Sequence, residues 1–272
     1  MHRLLRSALA LVALAFAAAP ALAELRTQSI TYQHDGVELE GFLVWDASKA
    51  TAQAPQPGVV VCHEWWGNSQ YAHERAKKLA ELGYVAFALD LYGKGKLTGD
   101  AKQAQAWSGE LYGNVELLRG RAKAGYDVLA KQPQVDATRI AAIGYCMGGT
   151  VALELARAGA PLRAIVPFHA SKLSSLGTAD DNARITATIT VCHGGDDAFV
   201  STEELAKFVA EMKAAKLDYQ FLSYAGAVHS FTNRDADKYG IPGVAYDAKA
   251  DARSWEHMKL ALAEAFVQVS KR

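Results

Sequence analysis

Residues 144–149 have the composition of a segment that carries a catalytic nucleophile. They are Gly-Tyr-Cys-Met-Gly-Gly, which fits the glycine–x–nucleophile–x–glycine pattern of a sharp turn between a strand and a helix, here with cysteine as the nucleophile. The glycines leave room for the tight turn, and the N-terminus of the following helix favours a thiolate. Taken alone, the segment also fits a buried structural cysteine, because cysteine is among the most commonly buried residue types.

Acidic and histidine residues follow Cys146 in the order that this chemistry requires. Asp196 and Asp197 come after a predicted strand that ends at Cys192, and His229 comes after the last predicted strand. Histidine can accept the thiol proton, and a carboxylate can fix the tautomer of that histidine. Sites in open α/β sheets lie just past strand ends. Either Asp196 or Asp197 is therefore the candidate acid, and whichever of the two does not fill that role is expected to be a loop or turn residue.

A third cluster, Cys-His-Glu-Trp-Trp-Gly at residues 62–67, directly follows the first buried strand. A loop at this position donates one N–H group of an oxyanion hole, and the residue after the nucleophile donates the other. Trp65 and Met147 are the candidates for these two donors. Glu64 stands between two apolar stretches and is costly to bury without a partner. Cys146 is the partner that we expect for it.

Histidines near predicted strand ends raise the question of a metal site. His63 and Glu64 begin like the helical zinc motif, but the position four residues after His63 is Gly67, and the segment follows a strand. No carboxylate or thiol spacing completes a set of metal ligands around His63, His169 or His193. We interpret these histidines as supporting or structural, and we expect neither a metal nor another cofactor.

The remaining cysteines have a simpler interpretation. Cys62 and Cys192 end separate predicted strands that are not expected to be neighbours. A disulfide needs Cα atoms within about 7 Å, so a bridge between them is not expected. Both are predicted to be core residues.

The elements that must position these residues alternate between strands and helices. An Asp-Gly turn at residues 35–36 predicts an antiparallel hairpin over residues 30–45. The later predicted strands are 59–62, 84–89, 139–145, 163–168, 185–192 and 219–224, and the predicted helices are 70–82, 101–131, 147–157, 202–215 and 248–269. This alternation favours an α/β fold with a mostly parallel sheet covered by helices on both faces. No linker divides residues 24–272, so one domain is predicted.

Composition narrows the class of protein. The 272 residues include 29 Lys+Arg and 29 Asp+Glu, and half of the chain is hydrophobic, which excludes a disordered protein. The net charge is zero, so the chain has no excess of positive charge that would attract nucleic acid or an anionic membrane surface. Three cysteines exclude a disulfide scaffold. No heptad pattern indicates obligate assembly, so a monomer that acts on a small molecule is the default expectation.

Residues 1–23 have the pattern of a secretory signal peptide. Arg3 and Arg6 precede an apolar run over residues 7–19 that is too short to span a bilayer comfortably, and Ala-Leu-Ala at residues 21–23 suits signal cleavage. Cleavage before Glu24 is predicted, and an uncleaved N-terminal anchor is the alternative. After cleavage we expect a periplasmic or secreted protein without stable membrane association.

Five motifs in order resemble the dienelactone hydrolase (carboxymethylenebutenolidase) family, whose fold is that of the α/β-hydrolases. They are residues 63–67 (His-Glu-Trp-Trp-Gly), 90–93 (Asp-Leu-Tyr-Gly), 144–149, 195–200 (Gly-Asp-Asp-Ala-Phe-Val) and 229–231 (His-Ser-Phe). The resemblance covers nearly all of the chain after the signal peptide. It implies a triad of Cys146, Asp197 and His229, and it implies that Glu64 holds the resting thiol and helps to generate the thiolate when substrate arrives.

One departure from the family concerns the substrate. Members of the family that act on the dienelactone bind its carboxylate with arginines. One of these arginines lies four residues after the catalytic histidine. That position is Asn233 here, and Arg234 follows it. Asn233, Arg234, Trp66 and Tyr92 are therefore the candidate pocket residues.

The sequence predicts a hydrolase that cleaves an ester or a lactone through a cysteine–histidine–aspartate triad and a thioester intermediate. A non-catalytic binding protein on the same scaffold remains open, because a fold does not guarantee a function. A thiol-dependent thioesterase, a peptidase or a halide-releasing hydrolase also remains open.

Overall fold

The computed structural model describes residues 23–267, so the predicted signal peptide lies outside the described residues apart from Ala23. The strands are β1 (Leu25–His34), β2 (Val37–Asp46), β3 (Gln56–Cys62), β4 (Val85–Leu89), β5 (Val135–Tyr145), β6 (Ala164–Phe168), β7 (Thr188–Gly194) and β8 (Tyr219–Tyr224). The helices are α1 (Gln70–Glu81), α2 (Ala101–Gly113), α3 (Val115–Ala130), α4 (Met147–Arg157), α5 (Thr202–Ala214) and α6 (Ala248–Phe266), with short 3₁₀ helices at Ala179–Arg184 and Ala236–Tyr239. No helix within residues 23–267 has both the length and the apolar character that a membrane crossing needs.

The strands form one sheet in the order β1-β2-β4-β3-β5-β6-β7-β8. β2 is antiparallel to β1 and β4, and every other neighbouring pair is parallel. The hairpin between β1 and β2 turns at Asp35 and Gly36, whose φ angles are 48° and 75°. Two successive left-handed residues match the twist of a two-residue hairpin. The predicted α/β fold with an N-terminal antiparallel hairpin is confirmed.

Helices cover both faces of the sheet. On one face, Leu79 of α1 and Met258 of α6 pack with Val61 of β3. On the other face, α2 to α5 cover the sheet, with Val151 and Phe208 among the fully buried side chains. Strands buried on both sides are continuous apolar runs, which is why residues 59–62 and 85–89 could be recognised as strands.

The helical region predicted over residues 101–131 is two helices. Asn114 separates α2 from α3 with φ −137° and ψ 85°, and its side chain accepts a hydrogen bond of 3.1 Å from the N–H of Leu117. An asparagine at this position satisfies an otherwise unpaired N–H at the start of a helix, so it ends one helix and begins the next. Residues 101–131 therefore form two helical segments.

The strand predicted over residues 185–192 also differs. β7 begins only at Thr188, whereas Ile185 and Ala187 are buried outside the sheet. Their apolar character reflects core packing rather than strand pairing. β3 and β7 are separated by β5 and β6, and Cys62 and Cys192 are free and buried as expected.

A buried ionic network ties α3 and α4 to the 3₁₀ helix at Ala179–Arg184. Arg157 is fully buried and donates 2.8 Å hydrogen bonds to Glu154 and Asn182. The second oxygen of Glu154 accepts a 2.8 Å bond from Arg119, which also binds Asp181 at 2.7 Å. Since an unpaired buried charge is expensive, this network holds the connection between β6 and β7 against α4.

Replacement of Glu154 by alanine should lower the free energy of unfolding by about 3–5 kcal/mol, because it leaves the buried Arg157 without its carboxylate. Urea unfolding followed by circular dichroism measures the change. The matched control is Glu110→Ala on the exposed surface of α2, which should change stability by less than about 0.5 kcal/mol. Equal stabilities of the two variants would contradict the role of the network.

Candidate active site

Cys146 occupies a strained turn between β5 and α4. Its φ is 54° and its ψ is −121°, a backbone conformation that costs on the order of 1–3 kcal/mol in a non-glycine residue. An added Cβ at Gly144 would overlap the carbonyl of Gly148, and one at Gly148 would overlap the carbonyl of Cys62. Both glycines are therefore required by close backbone approach, and the turn places the cysteine side chain at the carboxyl edge of the sheet.

His229 and Asp197 form a hydrogen-bonded pair next to this turn. Nδ1 of His229 lies 2.8 Å from Oδ2 of Asp197, and both side chains are almost fully buried. The other carboxylate oxygen of Asp197 accepts a 2.9 Å bond from the N–H of Phe199. Asp196 is exposed. The structure thus resolves the choice between the two aspartates, because only Asp197 contacts the histidine.

The charges around His229 favour its protonated form. Burial lowers the pKa of His229, but the charge of Cys146, the hydrogen bonds to Asp197 and Cys146, and the charge of Asp197 outweigh burial and raise the pKa to about 10. The imidazolium therefore persists through neutral pH beside the sulfur. This arrangement can support a thiolate–imidazolium pair, the reactive form of a nucleophilic cysteine.

His169 supports the turn rather than reacting. Its Nδ1 accepts a 3.0 Å hydrogen bond from the N–H of Cys146, and its Nε2 lies 2.7 Å from the hydroxyl of Thr232. Burial, with the charges of His229 and Arg75, lowers its pKa well below the usual value. His169 is therefore neutral and holds the nucleophile backbone in place, which agrees with its interpretation as a supporting histidine.

Glu64 is buried below the site with partners other than the expected one. Its Oε1 accepts a 3.1 Å bond from Ser230, and its Oε2 accepts a 2.7 Å bond from Asn233. Cys146 is not among its hydrogen-bond partners within residues 23–267, since the sulfur lies 3.4 Å from the hydroxyl of Ser171. The expected Glu64–Cys146 contact is therefore wrong for this structure. Burial raises the pKa of Glu64, and the bonds from Asn233 and Ser230 oppose that rise.

A cavity of about 320 Å³ opens above Cys146 and His229. Its wall is mainly apolar and includes Trp65, Trp66, Tyr112, Phe199, Ile241 and Val244. Cys146 is only 7% exposed. A substrate therefore reaches the sulfur through this cavity, and Trp66 is among the residues that line it.

The other predicted pocket residues lie elsewhere. Tyr92 is buried behind the site, where its hydroxyl donates a 3.0 Å bond to the carbonyl of Trp65 and lies 3.2 Å from Sδ of Met147. Asn233 is buried and bonded to Glu64. Arg234 borders a different cavity, beside α1. Placing Tyr92, Asn233 and Arg234 in the pocket wall was wrong, because spacing along the chain does not show which side of a loop faces the cavity.

The two predicted oxyanion donors lie on either side of the nucleophile. Met147 begins α4, where the first N–H groups lack partners within the helix. Neither its N–H nor that of Trp65 donates to a protein acceptor in the described part of the chain. The bond from Tyr92 to the Trp65 carbonyl helps to fix the orientation of that peptide.

Several residues of the site were not predicted from the sequence, and Ser171 and Tyr112 are two of them. Ser171 contacts the sulfur of Cys146, and its position three residues after β6 would have identified it as a strand-end residue. Tyr112 lies in α2 and enters the pocket wall without any sequence signal. Among residues 23–267, no group of three or more His, Cys, Asp or Glu side chains is placed to hold a metal ion.

An eight-stranded, mostly parallel sheet with a nucleophile turn between β5 and α4 defines an α/β-hydrolase fold. Residues 45–266 match the model of the dienelactone hydrolase family. The chain therefore belongs to the dienelactone hydrolase family, and the resemblance carried by its five motifs is confirmed.

Solved structures agree with this assignment. A dienelactone hydrolase-like promiscuous phosphotriesterase from metagenomic libraries is 41% identical, with a TM-score of 0.84 over 89% of this chain and 98% of its own. The protein m3DLH is 42% identical, with a TM-score of 0.85 over 89% of this chain and 99% of its own. A relative found by sequence comparison, Protein usf from Aquifex pyrophilus, is 28% identical over 81% of this chain and 94% of its own.

The protonation of His229 can be tested directly. NMR of ¹⁵N-histidine-labelled protein should show His229 losing its proton near pH 10, whereas an unperturbed histidine titrates near 6.5. Asp197→Asn removes the negative charge beside Nδ1 of His229. It should lower the midpoint of the His229 titration by at least about one pH unit. Free histidine titrated in the same buffer is the control. A wild-type midpoint near 6.5 would contradict the ion pair.

Proposed function

We propose that this protein hydrolyses carboxylic esters or lactones through a thioester formed on Cys146, with His229 as acid and base and Asp197 as the residue that orients it. One observation carries the proposal: Cys146 sits in the strained turn, beside a His229–Asp197 pair, at the floor of a mainly apolar pocket. Membership of a hydrolase family supports the reaction class. A relative described as a promiscuous phosphotriesterase supports ester cleavage more broadly.

In the first half of the reaction, the thiolate of Cys146 attacks the carbonyl carbon and forms a C–S bond. The carbonyl oxygen takes up the negative charge and accepts hydrogen bonds from the N–H groups of Trp65 and Met147. Collapse of the intermediate breaks the C–O bond, and the leaving alkoxide takes the proton from the His229 imidazolium. In a lactone the released alcohol stays attached to the acyl chain.

In the second half, the neutral His229 takes a proton from water while the water oxygen attacks the thioester carbon. The same two N–H groups hold the second oxyanion. Its collapse expels the thiolate, releases the carboxylic acid and leaves the imidazolium paired with Cys146 again. Asp197 keeps Nδ1 protonated throughout, so that Nε2 faces the reacting atoms.

Cys146→Ala should lower the turnover of an activated ester by at least about 10³-fold, since no other group in the pocket replaces the thiolate. His229→Ala should lose activity to a similar degree. The matched control is Cys192→Ala, which removes a buried thiol away from the pocket and should keep turnover. Assays use 4-nitrophenyl butyrate, with circular dichroism to verify folding.

Mass spectrometry of wild-type protein quenched during turnover should show one acyl group on Cys146. Hydrolysis that survives Cys146→Ala would contradict the proposed nucleophile. A stable protein that cleaves none of a panel of esters, thioesters and lactones would favour the binding-protein alternative. Faster Cys146-dependent cleavage of thioesters or peptides than of any ester would favour those alternatives.

We also propose that the protein is exported and cleaved after Ala23, on the strength of the pattern in residues 1–23. Expression of the full chain in a Gram-negative bacterium should give a periplasmic protein whose intact mass corresponds to a start at Glu24. Recovery in the membrane fraction with residues 1–23 retained would instead show an uncleaved anchor.

A further inference from the structure

We propose that the pocket above Cys146 selects uncharged, apolar groups and discriminates against substrates that carry a carboxylate. This inference rests on the proposed function and narrows its substrate class to neutral esters and lactones. It concerns the wall of the pocket rather than the reacting groups.

Apart from His229, which is already paired with Asp197, the described residues of the pocket wall include no cation that could bind an anion. Within the described residues, no Lys or Arg side chain lines the cavity, and its only ionisable groups are Cys146, His229 and Tyr112. Most of the wall is aromatic or aliphatic, and its uncharged polar side chains are Gln105, Ser108, Ser171 and Ser230. Phe199 is 50% exposed beside the cavity, so the apolar surface extends to the solvent-facing part of the wall.

Three cations on segments that border the site are directed elsewhere. Arg234 borders the cavity beside α1, and its guanidinium lies over the ring of Tyr246, 5.9 Å from the ring centroid. Arg75 is buried and binds Asp251 at 2.7 Å. Lys96 lies over the ring of Trp107 and borders a third cavity. None of these three side chains is among the residues that line the pocket above Cys146.

The cation at the pocket floor already has a partner. His229 binds the buried Asp197 carboxylate at 2.8 Å, so it is not a free cation for a substrate carboxylate. A substrate carboxylate would lose its hydration in the apolar cavity and find no partner to replace it. A neutral ester or lactone gains from burial of its apolar groups against the same wall.

A pair of thiol reagents tests charge selection without any need for hydrolysis. N-phenylmaleimide and N-(4-carboxyphenyl)maleimide differ by one carboxylate at the far end of the ring. Intact mass spectrometry gives the rate of Cys146 modification by each, and each rate is divided by that for N-acetylcysteine. We expect the neutral reagent to be favoured by at least about 10-fold. A normalised ratio near one, or in favour of the anion, would overturn the inference.

Gln105 offers a place to reverse the selection. It lines the pocket from the exposed surface of α2. Gln105→Arg should reduce the maleimide ratio at least about threefold, because it supplies the missing cation. Gln105→Met is the neutral control at the same site. Gln103→Arg adds the same charge to the same helix away from the pocket and should leave the ratio unchanged. Equal ratios in all three variants would contradict a role for the pocket wall.

A pair of esters extends the test to catalysis. Wild-type protein should cleave 4-nitrophenyl methyl adipate with a kcat/KM at least about 10-fold higher than that for 4-nitrophenyl hydrogen adipate. Equal cleavage of the two, or preference for the anion, would overturn the inference while leaving the proposed function intact. Cleavage of neither would contradict the proposed function, and the maleimide ratio would then decide the charge selection alone.

Discussion

The close approach of backbone at the turn after β5 is the constraint on which the site depends. Gly144, Gly148 and the end of β3 are packed so tightly that a single Cβ would disrupt them. This packing holds Cys146 at a positive φ and places its side chain at the sheet edge. The hydrogen bond from its N–H to His169 fixes the same turn from the neighbouring strand connection. The strain at the nucleophile is thus sustained by contacts from two directions.

The electrostatics of the site follow from this geometry. Because the turn places the sulfur next to a buried histidine that Asp197 already orients, the charge of the pair is stabilised within the protein. His169 is also buried nearby, but it remains neutral because burial and the charges of His229 and Arg75 lower its pKa. Two histidines a few ångströms apart therefore have different protonation states, set by their neighbours.

Most of the residues that form the pocket wall are different from the residues proposed to carry out the reaction. Cys146, Asp197 and His229 lie within the family motifs. Asn233, however, binds Glu64, and Arg234 lies outside the pocket. In the proposed reaction, the charge of the substrate is therefore selected by the wall of the pocket and not by the triad.

The sequence by itself determined the α/β class, the hairpin, the alternation of strands and helices, and the nucleophile turn at Cys146, while it left Asp196 and Asp197 as alternatives. These follow from local rules: apolar runs, turn residues and the glycine spacing of the nucleophile turn. The break at Asn114 could have been recognised from the preceding Gly113, since both residues disfavour a helix interior.

Only the tertiary structure decided which groups surround the site. It assigned Ser230 and Asn233 to Glu64, placed Ser171 and Tyr112 in the site, and directed Arg234 away. These contacts join residues far apart in the chain, and they depend on how loops fold over the sheet edge. No periodicity in the sequence records the direction of a side chain in such a loop.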